Sequence, residues 1–344
     1  MIRKRTALIL GAGASVDLKY PTGRKLKDDI INALEDMGEE FPQENIWDES
    51  GRWYPDPDLQ HILHENFGEK ITNEFRSSLL TCGTRTIDQF VEDAERFRNI
   101  ARVAVAYVLS AYESRDALTG DIWHKDLFVA LKKNVRLQGF ATQNHLSIIT
   151  FNYDVSLEQF MYQSIANSYP DTDPRLVAGI VAQFGIRHVY GRLMPLDWER
   201  GSIVGNPATY GDKKRRWPWD SSMTPEITWS SDPVEGIPRR LLDLRERLST
   251  AELIIFLGFG FDDNNMMKLG FSLDSSDHGD ERLQGKEIYA YCFSDYPDAK
   301  CQMLKSKYAR YGLTPIKGPR DIKDFLQSYM DLETGNVHVP NISG

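Results

Sequence analysis

The sequence predicts an α/β fold, a Rossmann-like parallel sheet with helices on both faces and a mainly helical insertion. Three observations predict it. Five short runs, 6–10, 146–151, 186–190, 253–257 and 288–293, are mostly Ile, Val, Leu and aromatic residues, as strands buried on both faces read. Helical patterns lie between or after them, and such alternation implies an α/β layer fold. Several runs lead into Gly, Asn or Asp, residues suited to the strand-end loops where open parallel sheets bind ligands.

Taken in order, the first run (Thr6 to Leu10) stops at Gly11-Ala-Gly13, too short a run and without the small-residue cleavage site that a signal peptide needs. From Arg24 to Glu35 a helix is expected, with Leu26, Ile30, Ile31 and Leu34 on one face, and Thr22 in Pro21-Thr-Gly23 as its cap. Residues 38–60 are rich in Pro, Trp, Asp and Glu and read as an irregular excursion, whereas 86–99 and 101–114 read as helices. The span between the first and second runs is too long for one crossover, so 36–139 is expected to be a helical insertion between two parts, 1–35 and 140–330, of the sheet domain. After the second run, Val155 to Ile165 aligns Leu157, Phe160 and Met161 as a helix face. Residues 192–238 hold Trp198, Trp217, Trp219 and Trp229 among prolines; a loop packed on the core and a lid or partner surface both fit. Within it, Lys213-Lys-Arg-Arg216 reads as a solvated turn or an anion contact. The tail, 331–344, is expected to fray.

The chain has 344 residues, 41% hydrophobic and 26% charged, with a net charge of -9. Its size allows a large core, which sets aside collagen-like and wholly disordered classes. The acidic balance argues against non-specific duplex binding, which Lys and Arg drive. Cys82, Cys292 and Cys301 are scattered, so no four-thiolate zinc site forms within one chain and a reducing compartment is expected. No run is long enough to span a bilayer. A cytoplasmic protein without a metal or a membrane partner is the expectation.

Four motifs stand at expected strand ends: Gly11-Ala-Gly-Ala-Ser15, Thr150-Phe-Asn-Tyr-Asp154, His188-Val-Tyr-Gly191 and Leu257-Gly-Phe-Gly260, the last followed by Phe261-Asp262-Asp263-Asn264. Gly11-Ala-Gly13 suits a tight turn against a phosphate. A dehydrogenase fingerprint would need a small residue at Val16 and an acid after a second strand, and Glu35 and Asp36 instead close a helical pattern. The P-loop form lacks its Gly-Lys-Ser/Thr. Each residue also has a plainer reading: Asn152 or Asp154 as a helix cap, His188 as a backbone-bonded strand end, Asp262 and Asp263 as helix N-terminal carboxylates.

In these motifs and their order, with Thr86-Ile-Asp-Gln-Phe90 as a helix opening, the chain resembles the sirtuin-like family, and most of all its bacterial branch that consumes NAD in anti-phage defence. The resemblance spans roughly 5–295. It implies NAD as substrate and no metal. Gly11, Ala12, Gly13 and Ser15, with Pro21 and Thr22, would cradle the pyrophosphate; Asn152 would hold the nicotinamide ribose and the attacking water; Asp154 would brace that loop or touch the ribose. His188 would be the general base, with Gly191 beside it and Gly258, Phe259 and Gly260 on the adenosine side. Family members often carry His-Gly where this chain has Tyr190-Gly191, so Tyr190 is an alternative occupant of the histidine's place. Sirtuin deacylases usually carry a four-cysteine zinc module that this chain cannot form. The resemblance therefore implies an NAD+ glycohydrolase acting as a defence effector, a homo-oligomer or the companion of a HerA-like ATPase. A non-catalytic NAD- or ADP-ribose-binding scaffold subunit and a zinc-less deacylase are the alternatives.

Overall fold

The computed structural model describes residues 1–34, 58–199, 209–211, 227–229, 236–272 and 279–338. Six strands form one all-parallel sheet: β1 (Thr6–Leu10), β2 (Leu146–Thr150), β3 (Arg187–His188), β4 (Leu253–Leu257), β5 (Glu287–Cys292) and β6 (Thr314–Lys317), in the order β3-β2-β1-β4-β5-β6. All five residues of β1 and of β4 are buried, because both strands are central and both sheet faces are covered. That is why they read as unbroken apolar runs. Leu8 and Leu10 face one hydrophobic cluster and Ala7 and Ile9 the other, as strand alternation requires.

Helices α1 (Gly23–Ala33), α2 (Asp58–Phe67), α3 (Glu69–Thr81), α4 (Ile87–Asp93), α5 (Arg98–Tyr112) and α6 (Trp123–Lys132) precede β2. Side chains of all six share one cluster with the sheet, where Ile30, Leu63, Phe75, Phe90, Ala104 and Leu127 join Leu8 and Leu10. The helical stretch before β2 is thus packed onto one sheet face. Helices α7 (Ser156–Ser168) and α8 (Pro174–Phe184) add to that face. On the other face lie α9 (Gly236–Thr250), through Leu244 and Leu248, and α10 (Asp263–Lys268), through Met266, with α11 (Asp298–Lys307), through Leu304.

The differences from expectation have local causes. The long pattern 86–99 is split at Ala94, which leaves helical geometry with ψ 61°. Thr22 holds the cap position of α1, but its side chain makes no capping bond. Strand β6 carries only one buried residue, Ile316, and a proline at 315; such a strand is tolerated at a sheet edge and leaves no apolar run. The tail does not fray at 331: Met330–Asp331 (β7) pairs antiparallel with Asn336–Val337 (β8), and the Arg3 N–H donates to Glu333 O at 3.1 Å. Trp198 stacks on Tyr162 and donates to Gln159, and Trp229 is buried and donates to Arg98 O, so these two pieces of 192–238 pack on the core. Trp217, Trp219, Lys213-Lys-Arg-Arg216 and most of the 38–60 excursion lie outside the described residues. No helix among the described residues is long and apolar enough to cross a membrane.

Candidate functional site

The strand order reverses between β1 and β4, the point where open α/β sheets bind ligands at their carboxyl ends. A cavity of about 370 Å³ opens there, within the range of small-molecule sites. Its walls come from the loops after β1, β2, β3 and β4 and from α1, α4, α5 and α10.

The β1 loop contributes Gly11, Ala12, Ser15 and Pro21. Gly11 and Gly13 are needed for the way this loop meets the β4 loop. A Cβ on Gly11 would lie 2.6 Å from Gly258 O, and one on Gly13 2.8 Å from Gly258 Cα. Gly258 sits at φ +60°, and its own Cβ would fall 2.1 Å from Ala14 N. The Gly13 N–H donates to Gly258 O at 2.9 Å. The glycine requirement at Gly13 and Gly258 thus comes from this contact between the loops. They lock two loops together and do not line the cavity, nor do Thr22 and Gly191. From beneath, the buried Trp123 of α6 donates Nε1–H to Ala14 O at 2.8 Å.

The β2 loop contributes Phe151, Asn152, Tyr153 and Asp154. Asn152 Nδ2 donates to Gly11 O and to Ser15 Oγ, both at 3.0 Å. A carbonyl only accepts, so this fixes the amide's orientation, and among the described residues Oδ1 accepts no hydrogen bond. Asn152 is therefore no helix cap. Asp154 is buried; Oδ2 accepts from Ser15 Oγ at 2.8 Å and Oδ1 from Ser156 N and Oγ. Burial raises its pKa against those hydrogen bonds. It ties the Ser15 turn to the start of α7.

His188 does not reach the cavity wall. Nδ1 lies 2.8 Å from Asn152 O and Nε2 2.6 Å from Glu158 Oε1, with both side chains buried. A carbonyl on one nitrogen and a carboxylate on the other call for an imidazolium donating twice. Burial opposes that charge, but Glu158 and the Asn152 carbonyl outweigh it and raise the pKa of His188. Burial likewise opposes the Glu158 carboxylate, and His188 outweighs it and lowers the pKa. With both ring nitrogens engaged, His188 holds the Asn152 loop and offers the cavity no free nitrogen in this geometry.

Tyr190 takes the wall position instead, its ring edge-on to Phe151, which in turn packs edge-on against Phe259. Its hydroxyl donates to Asn265 Oδ1 and accepts from Lys268 Nζ at 2.8 Å, both on α10. Burial pushes its pKa well up, so it stays a neutral wall. Phe259 and Gly260 complete the β4 side, and a Cβ on Gly260 would enter open space. Asp262 lines the rim while capping α10, where it accepts from Asn264 N and Asn265 N.

Sequence reasoning missed the α4 wall of Asp88, Gln89 and Glu92. Its signal was in Thr86-Ile-Asp-Gln: Thr86 Oγ1 accepts from Gln89 N and Gln89 Oε1 from Arg85 N, close to a capping box. Asp88 Oδ1 accepts from Tyr153 OH at 2.7 Å, and burial raises the Asp88 pKa despite that bond. Asp88, Glu92, Asp154 and Asp262 line the cavity, and no described lining residue is Lys or Arg. Such a wall suits a ligand with a cationic centre.

No protein-family model matches the sequence, and no curated protein matches it.

Proposed function

We propose that this chain is an NAD+ glycohydrolase, cleaving NAD+ to nicotinamide and ADP-ribose, in keeping with its resemblance to the sirtuin-like family. The observation that carries the reading is the pairing, across one cavity at the sheet's reversal point, of the anchored Asn152 amide with the carboxylates of α4. In NAD+ the scissile bond joins C1′ of a ribose to a pyridinium nitrogen. The bond breaks with its electron pair going to nitrogen, so nicotinamide leaves neutral and needs no acid. The positive charge moves to an oxocarbenium-like ribose, which fixed negative groups stabilise. Asp88 and Glu92 supply that field. Asn152 Oδ1 holds a ribose hydroxyl or the water whose oxygen bonds to C1′, and the water's proton passes to Asp88 or to solvent. The Gly11–Ser15 turn and the Phe259–Gly260 segment flank the rest of the dinucleotide.

Chromatography of NAD+ incubated with the purified chain, over a range of protein concentrations, tests this. Nicotinamide release lost in Asn152→Ala supports the reading, and release retained at the wild-type rate in that variant contradicts it. One observation favours a second reading, a non-catalytic NAD- or ADP-ribose-binding scaffold subunit: the histidine is held away from the cavity. NAD+ binding without turnover would select it. A role in anti-phage defence, as a homo-oligomer or beside a HerA-like ATPase, follows from the resemblance and belongs to the same proposal.

A further inference from the structure

Outside the main cavity lies a second one of about 440 Å³, formed by Arg24, Lys27 and Asp28 of α1 and by Gly83, Thr84 and Arg85 of the segment leading into α4. Its charge is opposite in character to that of the first. Three cations line it, and Asp28 offsets one of them. Lys27 is 7% exposed. Its Nζ donates to Thr84 O at 2.7 Å and to Cys82 Sγ at 3.3 Å, and among the described residues no carboxylate accepts from it. An ammonium carries three donors, so one remains for the cavity. Buried charges are ordinarily paired, and among the described residues Lys27 has only a carbonyl and a thiol. Arg24 and Arg85 are exposed and form no ion pair among the described residues. Gly83 leaves the space open, since a Cβ there would meet nothing within 4 Å.

We propose that this cavity binds a phosphate-bearing small molecule, with the Lys27 ammonium at its base and the Arg24 and Arg85 guanidinium groups closing on the phosphate oxygens. Guanidinium forks match phosphate geometry two bonds at a time. The site joins α1 to the start of α4. Those two starts already touch, for a Cβ on Gly23 would lie 3.2 Å from Thr86 Cγ2. A bound anion therefore ties the wall that carries Asp88 and Glu92 to the rest of the fold.

Cys82 is a built-in reporter. Burial opposes its thiolate, but hydrogen bonds from Thr84 and Lys27 outweigh it and hold the pKa below the ordinary thiol value. Cys292 is buried, and Cys301, half-buried on α11, serves as an internal comparison. The experiment is alkylation of the full-length chain by neutral iodoacetamide, read peptide by peptide by mass spectrometry, with inorganic pyrophosphate titrated at constant ionic strength. Saturable protection of Cys82 but not of Cys301 is expected, with the half-effect concentration raised roughly tenfold or more in the Arg24→Gln, Arg85→Gln double variant, as loss of charge-assisted bonds implies. Both arginines are exposed, so the double variant keeps the fold. Absence of protection in the wild type, equal protection of Cys301, or an unchanged half-effect concentration in the double variant would overturn the proposal. The readout is local to Cys82 and independent of NAD+ turnover.

Discussion

Asn152 is held from two directions by the same strand-end geometry: His188 Nδ1 lies 2.8 Å from its backbone carbonyl, while its side-chain amide reaches 3.0 Å to Gly11 O. The histidine belongs to β3, and the glycine follows β1. The residue between them follows β2, so three adjacent parallel strands converge on one amide. Its Oδ1 is thereby held in a fixed position, the condition for electrostatic preorganisation.

Removing that amide is expected to cost catalysis more than fold. In Asn152→Ala, nicotinamide release should fall by about 100-fold or more, the usual effect of losing one oriented polar group at a reacting centre. Steady-state rates alongside urea unfolding curves check this.

His188→Ala should behave differently, because it leaves Glu158 buried without its partner. Stability should drop by roughly 3 kcal/mol or more, and any activity loss should come with it. The pH dependence follows from the shifts. His188 is raised above its ordinary 6.5, so its contribution is full below that pH and is lost as pH rises through the folded value. Glu158 is lowered below 4.5, so its contribution is full above that pH and is lost as pH falls. The pair should stabilise most between those two ordinary values, and the difference in unfolding free energy between wild type and variant should peak there.

Asp88 should set the acid limb of the rate. Burial raises it above its ordinary 3.8, so the ionised form, and the rate with it, should fall away on acidification at a pH above that value. In Asp88→Asn the rate should drop roughly 100-fold and the limb should flatten. A pH–rate profile that keeps the wild-type limb in Asp88→Asn would remove the residue from the mechanism.

Two glycines of one motif should separate packing from binding. Gly258→Ala drives a Cβ to within 2.1 Å of Ala14 N at a positive φ, and should destabilise by at least about 3 kcal/mol. Gly260→Ala meets open space and should stay within about 0.5 kcal/mol of wild type. Thermal unfolding of both variants distinguishes them. A larger residue at Gly260 should weaken NAD+ binding without unfolding the chain.

The central sheet was legible because β1 and β4 are buried on both faces, and burial on both faces writes an unbroken apolar run into the sequence. Edge strand β6 writes none, since only Ile316 turns inward. The four strand-end motifs were legible as a set, because a parallel sheet delivers every such end to one side. What each residue does there was not. Whether His188 or Tyr190 faces the cavity depends on Glu158, which lies 30 positions earlier on α7, and on Asn265 and Lys268 of α10, and no local spacing encodes those partners. The α4 wall was visible only as a helix opening, since it reaches the cavity through packing of α4 against the sheet face. Gly11-Ala-Gly13 looked like a phosphate loop, although part of its glycine requirement comes from Gly258 in the loop after β4.

Single-turnover measurement on the full chain, following bound NAD+ and released nicotinamide together in wild type, Asn152→Ala and Asp88→Asn, tests the central claim most directly. The account predicts that all three bind NAD+ and that the wild type alone releases nicotinamide at full rate. Failure of the folded wild type to bind NAD+, or equal release rates in all three, would contradict it.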